Sequence, residues 1–106
     1  MSTAAIKRYW DYVASLPCAN CGVEGVQISH YVGVSGGYIG KGASSKAHNL
    51  AVAPHCPKCH ALADARKLWN MEGHDKFTNQ LSHSEGFAIQ ILQTLIKAHE
   101  SGVLKI

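Results

Sequence analysis

Cys18-Ala-Asn-Cys21-Gly22 and Cys56-Pro-Lys-Cys59-His60 decide how this chain folds. Each is a Cys-x2-Cys pair, and 34 residues separate the two. Together they supply four thiolates, the complete ligand set of a closed tetrahedral zinc ion. Gly22 suits the tight turn that follows a metal knuckle, because it adopts positive φ without steric cost. A site with no open position performs no chemistry, so Cys18, Cys21, Cys56 and Cys59 are expected to hold a structural Zn²⁺. Its binding free energy would then be part of the folding free energy.

Working outward, 106 residues leave room for one small domain, expected to span 1–106. Apolar residues make up 46% and charged residues 16%, enough to bury a core and too apolar for a disordered chain. No stretch approaches the roughly 18 apolar residues of a membrane span, and the N-terminus lacks signal-peptide character. A soluble protein of the cytoplasm, with no membrane partner, is the expectation. In that compartment paired cysteines indicate metal rather than disulfides. The formal charge of +3 is modest, but Lys41, Lys46, Lys58, Arg66 and Lys67 fall between residues 41 and 67, where Asp64 is the only acid. A local cationic field of this kind suits a phosphate backbone, although a solvated lysine face would look the same.

The pattern of elements is α+β. Ile6, Trp10 and Val13 keep helical spacing over 4–15, with Ser2 or Thr3 as cap and Pro17 as stop. Val26-Gln-Ile28-Ser-His30-Tyr-Val32 alternates like a strand. Residues 33–47, rich in Gly and Ser, read as a long loop. A second strand over Leu50-Ala-Val52-Ala is expected to end at Pro54. The second knuckle then opens a helix reaching about residue 70, through Leu62, Ala65, Leu68 and Trp69. Residues 74–82 suit a short helix. Ser82 and Glu85 form a capping box for a last one, whose stripe of Phe87, Ile91, Leu92, Leu95 and Ile96 runs to a cap at Gly102. Trp10, Trp69 and Phe77 fall on apolar faces and read as core. His48, His55 and His74 read as surface or fold residues.

A second, open site is expected where that helix begins. His60 and Asp64 are four residues apart and project from one helical face, so an imidazole and a carboxylate can share one ion and leave positions for water and phosphate oxygens. The plain alternative is a surface histidine beside a helical aspartate. Other metal chemistries fit less well. A rubredoxin-like iron carrier pairs the same knuckles but requires neither a basic centre nor a His-bearing helix. The zinc nucleobase deaminases need His-x-Glu and Pro-Cys-x-x-Cys, whereas His30 is followed by Tyr31 and Val32, and His55 separates Pro54 from Cys56. Gly40-Lys41-Gly42 does not complete a phosphate-binding P-loop.

Cys18-x2-Cys21, His30, the glycine-rich loop, Asn49-Leu50 and Cys56-x2-Cys59-His60 together resemble the HNH, or ββα-metal, endonucleases over residues 18–70. Gln27-Ile-Ser-His30-Tyr-Val-Gly33, Lys46-Ala-His-Asn49-Leu50, Pro54-His-Cys56 and the ending Ala98 to Leu104 resemble its prophage branch, which contains a recombination enhancement nuclease stimulated by recombinase filaments. The resemblance implies a small zinc-stabilised ββα-metal domain, with helical flanks over 1–16 and 72–106. It makes His30 the general base, Asn49 the residue that orients it, and His60 and Asp64 ligands of a catalytic divalent cation. Two departures stand out. Ser29 occupies the place where many relatives carry a third ligand immediately before the base. Asp64 stands where many have His, a harder ligand that moves preference toward Mg²⁺ or Mn²⁺.

The activity implied is metal-dependent hydrolysis of DNA phosphodiesters, in the cytoplasm of a bacterial host, linked to recombination or repair and with a recombinase filament as a further partner. Lys41, Lys46, Arg66 and Lys67 would hold flanking phosphates, giving salt-dependent affinity with little sequence information. On this reading the His30 imidazole on the first strand is expected to face His60 and Asp64 on the neighbouring helix. A catalytically inactive zinc module that binds DNA or protein is the alternative, with iron electron transfer behind it.

Overall fold

The computed structural model describes residues 2–32, 48–68 and 83–104. The glycine-rich segment with Lys41 and Lys46, the helix expected over 74–82, and Trp69, His74, Phe77 and Ser82 lie outside the described residues. Within them, the element order is α1 (Thr3–Ala14), β1 (Gln27–His30), β2 (Val52–His55), α2 (Pro57–Asp64) and α3 (His83–Glu100), a small α+β domain. No described helix is long and apolar enough to cross a membrane.

Helix α1 begins where the Ser2 hydroxyl accepts the Ala5 amide at 3.1 Å, and it buries Tyr9 and Val13. Strands β1 and β2 are antiparallel, pairing Gln27 with His55, Ile28 with Pro54, Ser29 with Ala53 and His30 with Val52. Pro54 therefore lies inside β2, which continues to His55 rather than stopping before the proline. The register explains why. The Tyr31 amide donates to the Ala51 carbonyl one step beyond the strands, so hydrogen-bonded pairs fall at 31/51, 29/53 and 27/55. Pro54 takes a position without a ladder bond, and its missing N–H costs nothing. Its carbonyl, turned outward, accepts the Ala19 amide at 2.8 Å and ties the first knuckle to the sheet.

Helix α2 is shorter than its apolar spacing predicts, ending at Asp64 instead of near residue 70. Arg66 adopts φ of 58°, and the Arg66 and Lys67 amides return to the Ala63 and Leu62 carbonyls. That pairing is a Schellman cap with arginine at the position glycine usually fills. Leu68 is still buried, but it reaches the core from beyond the helix. Helix α3 departs from its expected stripe as well. Phe87 and Ile91 are buried, whereas Leu92 and Ile96 are 58% and 50% exposed, and Gln90, Thr94 and Ala98 are buried instead. Its end agrees with expectation: Gly102 has φ of 82°, and the Val103 amide returns to the Ala98 carbonyl.

The sheet separates two cores, because successive side chains on a strand point to opposite faces. Tyr31, Ala51 and Ala53 pack with Ala63 of α2, Leu68 beyond its end and Phe87 of α3. Val52 and Ile28 pack with Tyr9, Val13 and Trp10 of α1, joined by Ala98 and Leu104 from the end of α3.

Candidate metal centre

The first knuckle is a tight turn after Pro17, closed by the Cys18 amide on the Val23 carbonyl at 2.8 Å and the Gly22 amide on the Cys18 carbonyl at 2.9 Å. Gly22 has φ of 81°, which permits that turn. The second knuckle is the start of α2 itself, where Cys56 is the N-cap and its sulfur accepts the Cys59 amide at 3.5 Å. The four Sγ atoms lie within 4.8 Å of one another and no disulfide joins them. Cys21 Sγ is 3.7 Å from Cys56 Sγ and 3.8 Å from Cys59 Sγ. A tetrahedral ion with Zn–S bonds of about 2.3 Å spaces its sulfurs by about 3.8 Å. The donor set thus fits zinc in chemistry and in size.

The sulfurs are not equivalent. Burial works to raise the Cys18 thiol, but the amides of Cys21, Cys56 and Asn20 outweigh it and bring its pKa down to about 7. Cys59 has no surface exposed and is pushed far upward by burial and by its neighbouring sulfurs. The buried Asn20 side chain donates to Cys59 Sγ at 3.8 Å, a contact the sequence reading overlooked. Packing sulfurs this closely in a buried site is favourable when a cation draws off their charge.

One turn along α2 the open pair is in place. His60 Nε2 stands 3.5 Å from Asp64 Oδ2, the imidazole mostly covered and the carboxylate half exposed. Gln27, at the start of β1, reaches His60 from across the fold, with Oε1 at 2.7 Å from Nδ1. The sequence alone assigns Gln27 no role. Only the pairing of β1 with α2 reveals one.

His30 does not lie on that face. It follows Gln27 by three residues, about 10 Å along the strand, and projects to the opposite side of the sheet. Its ring meets Trp10 of α1 edge-on, with centroids 5.4 Å apart. Trp10 Nε1 also donates to the Asn49 carbonyl at 2.8 Å. Asn49 thus approaches His30 by way of a tryptophan that the sequence places in the core. Side-chain alternation thus puts His30 on the face of β1 that meets α1, and Gln27, the partner of His60, on the other. Ser29, which shares a face with Gln27, is fully buried, and its hydroxyl has no hydrogen-bond partner among the described residues. Lys58, Arg66 and Lys67 are exposed on α2 and at its end.

The fold and centre define a small α+β domain built around a four-cysteine cluster able to hold a metal such as zinc. No family model, no curated protein and no solved structure matches the chain.

Proposed function

We propose that this protein is a zinc-stabilised, metal-dependent DNA endonuclease of the HNH type, of phage or prophage origin and acting in the host cytoplasm during recombination or repair. The observation that carries the reading is the His60–Asp64 pair. Two ligands sharing one ion at about 2.1 Å each stand roughly 3.0–3.4 Å apart, and Nε2 and Oδ2 are 3.5 Å apart beside an otherwise sealed thiolate cluster. Both side chains retain exposure, so water and phosphate oxygens have access.

A Mg²⁺ or Mn²⁺ ion bound there would supply Lewis-acid neutralisation of the charge that develops on a phosphodiester. His30, in its uncharged form, would take the proton from an attacking water. Because it is the last residue of β1, it would act on a phosphate seated off the strand end, reached from one face by the imidazole and from the other by α2. Trp10 restrains the His30 ring and the Asn49 backbone together. Lys41, Lys46, Arg66 and Lys67 hold neighbouring phosphates and make affinity fall steeply with salt. Loading by a recombinase filament belongs to the same proposal.

A second reading is a catalytically silent zinc module that binds DNA or protein. The position of His30, across the sheet from His60 and Asp64, favours it, as does Ser29 in place of a third ligand. A plasmid-nicking assay with Mg²⁺ or Mn²⁺ separates the two, comparing the parent with His30→Ala and Asp64→Ala at unchanged zinc content. The endonuclease reading expects nicking by the parent and at least a hundredfold loss in both variants, in line with the contribution of a general base or metal ligand. Salt-sensitive DNA binding without nicking, on linear, branched and single-stranded substrates alike, would establish the silent module.

A further inference from the structure

Gln27 Oε1 is an acceptor only, so the 2.7 Å contact with His60 requires that Nδ1 carry the proton. A neutral imidazole protonated at Nδ1 presents a bare lone pair at Nε2. Nε2 lies 3.5 Å from Oδ2 of the Asp64 carboxylate, itself an acceptor. Two electron-rich atoms held this close make a place that favours a shared cation. A proton on Nε2 would meet the need through a hydrogen bond, but such charge-assisted bonds close to about 2.7–2.9 Å. A gap of 3.5 Å matches a shared metal ion better.

We infer that Gln27 is the positioning residue of a divalent-cation site formed by His60 and Asp64: its side-chain carbonyl fixes the His60 tautomer and turns Nε2 toward Asp64. The inference rests on the cation pair proposed above and adds a component from another element. Gln27 qualifies because strand alternation turns it, like Ser29, toward α2, and because the pairing with His55 holds the start of β1 beside the start of α2. Histidines that bind metals characteristically donate their second ring N–H to such an acceptor, and its loss weakens metal affinity by about 10–100-fold.

Mn²⁺ binding to the zinc-loaded protein, followed by calorimetry and by the magnetic-resonance signal of unbound Mn²⁺, tests this without reference to activity. The parent should bind Mn²⁺ at a site that Asp64→Ala removes. Gln27→Ala should weaken that binding about 10–100-fold at unchanged zinc content and thermal midpoint, since Gln27 is exposed and outside both cores. Gln27→Glu keeps an acceptor at the same reach and should restore affinity to the parent level or above. If the parent shows no Mn²⁺ binding sensitive to Asp64→Ala, the cation pair itself is refuted. If it does, and Gln27→Ala binds as the parent does, only the positioning role is overturned.

Discussion

His55 shows how one side chain can carry a pH dependence into the fold. It is fully buried on β2, donates from Nε2 to Gln90 Oε1 at 2.6 Å, and stacks at a tilt on Phe87. Burial lowers its pKa to about 4, a change the Gln90 hydrogen bond opposes without reversing. An unfolded histidine titrates near 6.5, so between those values the unfolded chain holds a proton that the native chain does not. Stability therefore rises with pH through this window, is complete above 6.5 and falls as pH drops toward 4. About 2 kcal/mol is expected to be lost by pH 5 from this group alone. Urea unfolding at pH 7.5 and pH 5 checks it. The double substitution His55→Leu with Gln90→Leu should flatten that part of the pH response and leave the remainder, due to the thiolates, in place. The position of His55 was legible as a fold role, but the depth of its burial was not, since Gln90 stands 35 residues away on a helix whose inward face the apolar pattern misassigned.

At the scale of the element, α2 carries its own contradiction. Apolar spacing argues for continuation past Asp64, and the backbone turns at Arg66 into a conformation that side chains disfavour. A left-handed residue with a Cβ costs about 1–2 kcal/mol relative to the right-handed helix, and glycine avoids most of that cost. Arg66→Gly is thus expected to raise stability by about 1 kcal/mol in denaturant titration, while Arg66→Ala gives no gain because alanine retains the same clash. A loss of stability in the glycine variant would mean that the arginine side chain makes a stabilising contact. If the protein binds DNA as proposed, the same glycine variant should bind it more weakly and with a shallower salt dependence. That opposition between stability and binding would explain why an arginine occupies a place suited to glycine. Pro54 teaches the complementary lesson. Read alone, a proline ends a strand; paired with Ile28 at a position without ladder bonds, it sits inside one.

At the scale of the whole molecule, the two faces of the sheet are covered differently among the described residues, the α1 side by large side chains such as Tyr9, Val13 and Val52. On the other side Ala51, Ala53 and Ala63 pack with three buried cysteines and with Tyr31, Leu68, Phe87 and Ile91. Small domains are only marginally stable, and the four-thiolate centre joins the segment before β1 to the start of α2. Binding of zinc to such a site is worth about 10–16 kcal/mol in isolated modules. Removing the metal with a strong chelator, or substituting Cys59→Ala, is therefore expected to abolish the cooperative thermal transition seen by circular dichroism, with parent protein containing one zinc ion per chain. A native-like transition surviving in metal-free protein would show that the apolar cores suffice. A red protein containing iron would replace zinc as the resident ion.

The two Cys-x2-Cys pairs by themselves specify the four-cysteine cluster able to hold a metal, because ligand identity and local spacing are properties of short peptide segments. The helix caps at Ser2 and Gly102 were legible for the same reason, and so was the shared face of His60 and Asp64, which the helical repeat alone dictates. Tertiary structure decided everything that depends on which surfaces meet. It turned the α3 stripe so that Gln90 and Thr94 are buried while Leu92 and Ile96 face outward, brought Gln27 to His60, and placed Trp10 against His30 and the Asn49 carbonyl. It also set His30 on the opposite face of β1 from Gln27, because a strand reverses its side-chain direction at every residue once its partner fixes which face is inward.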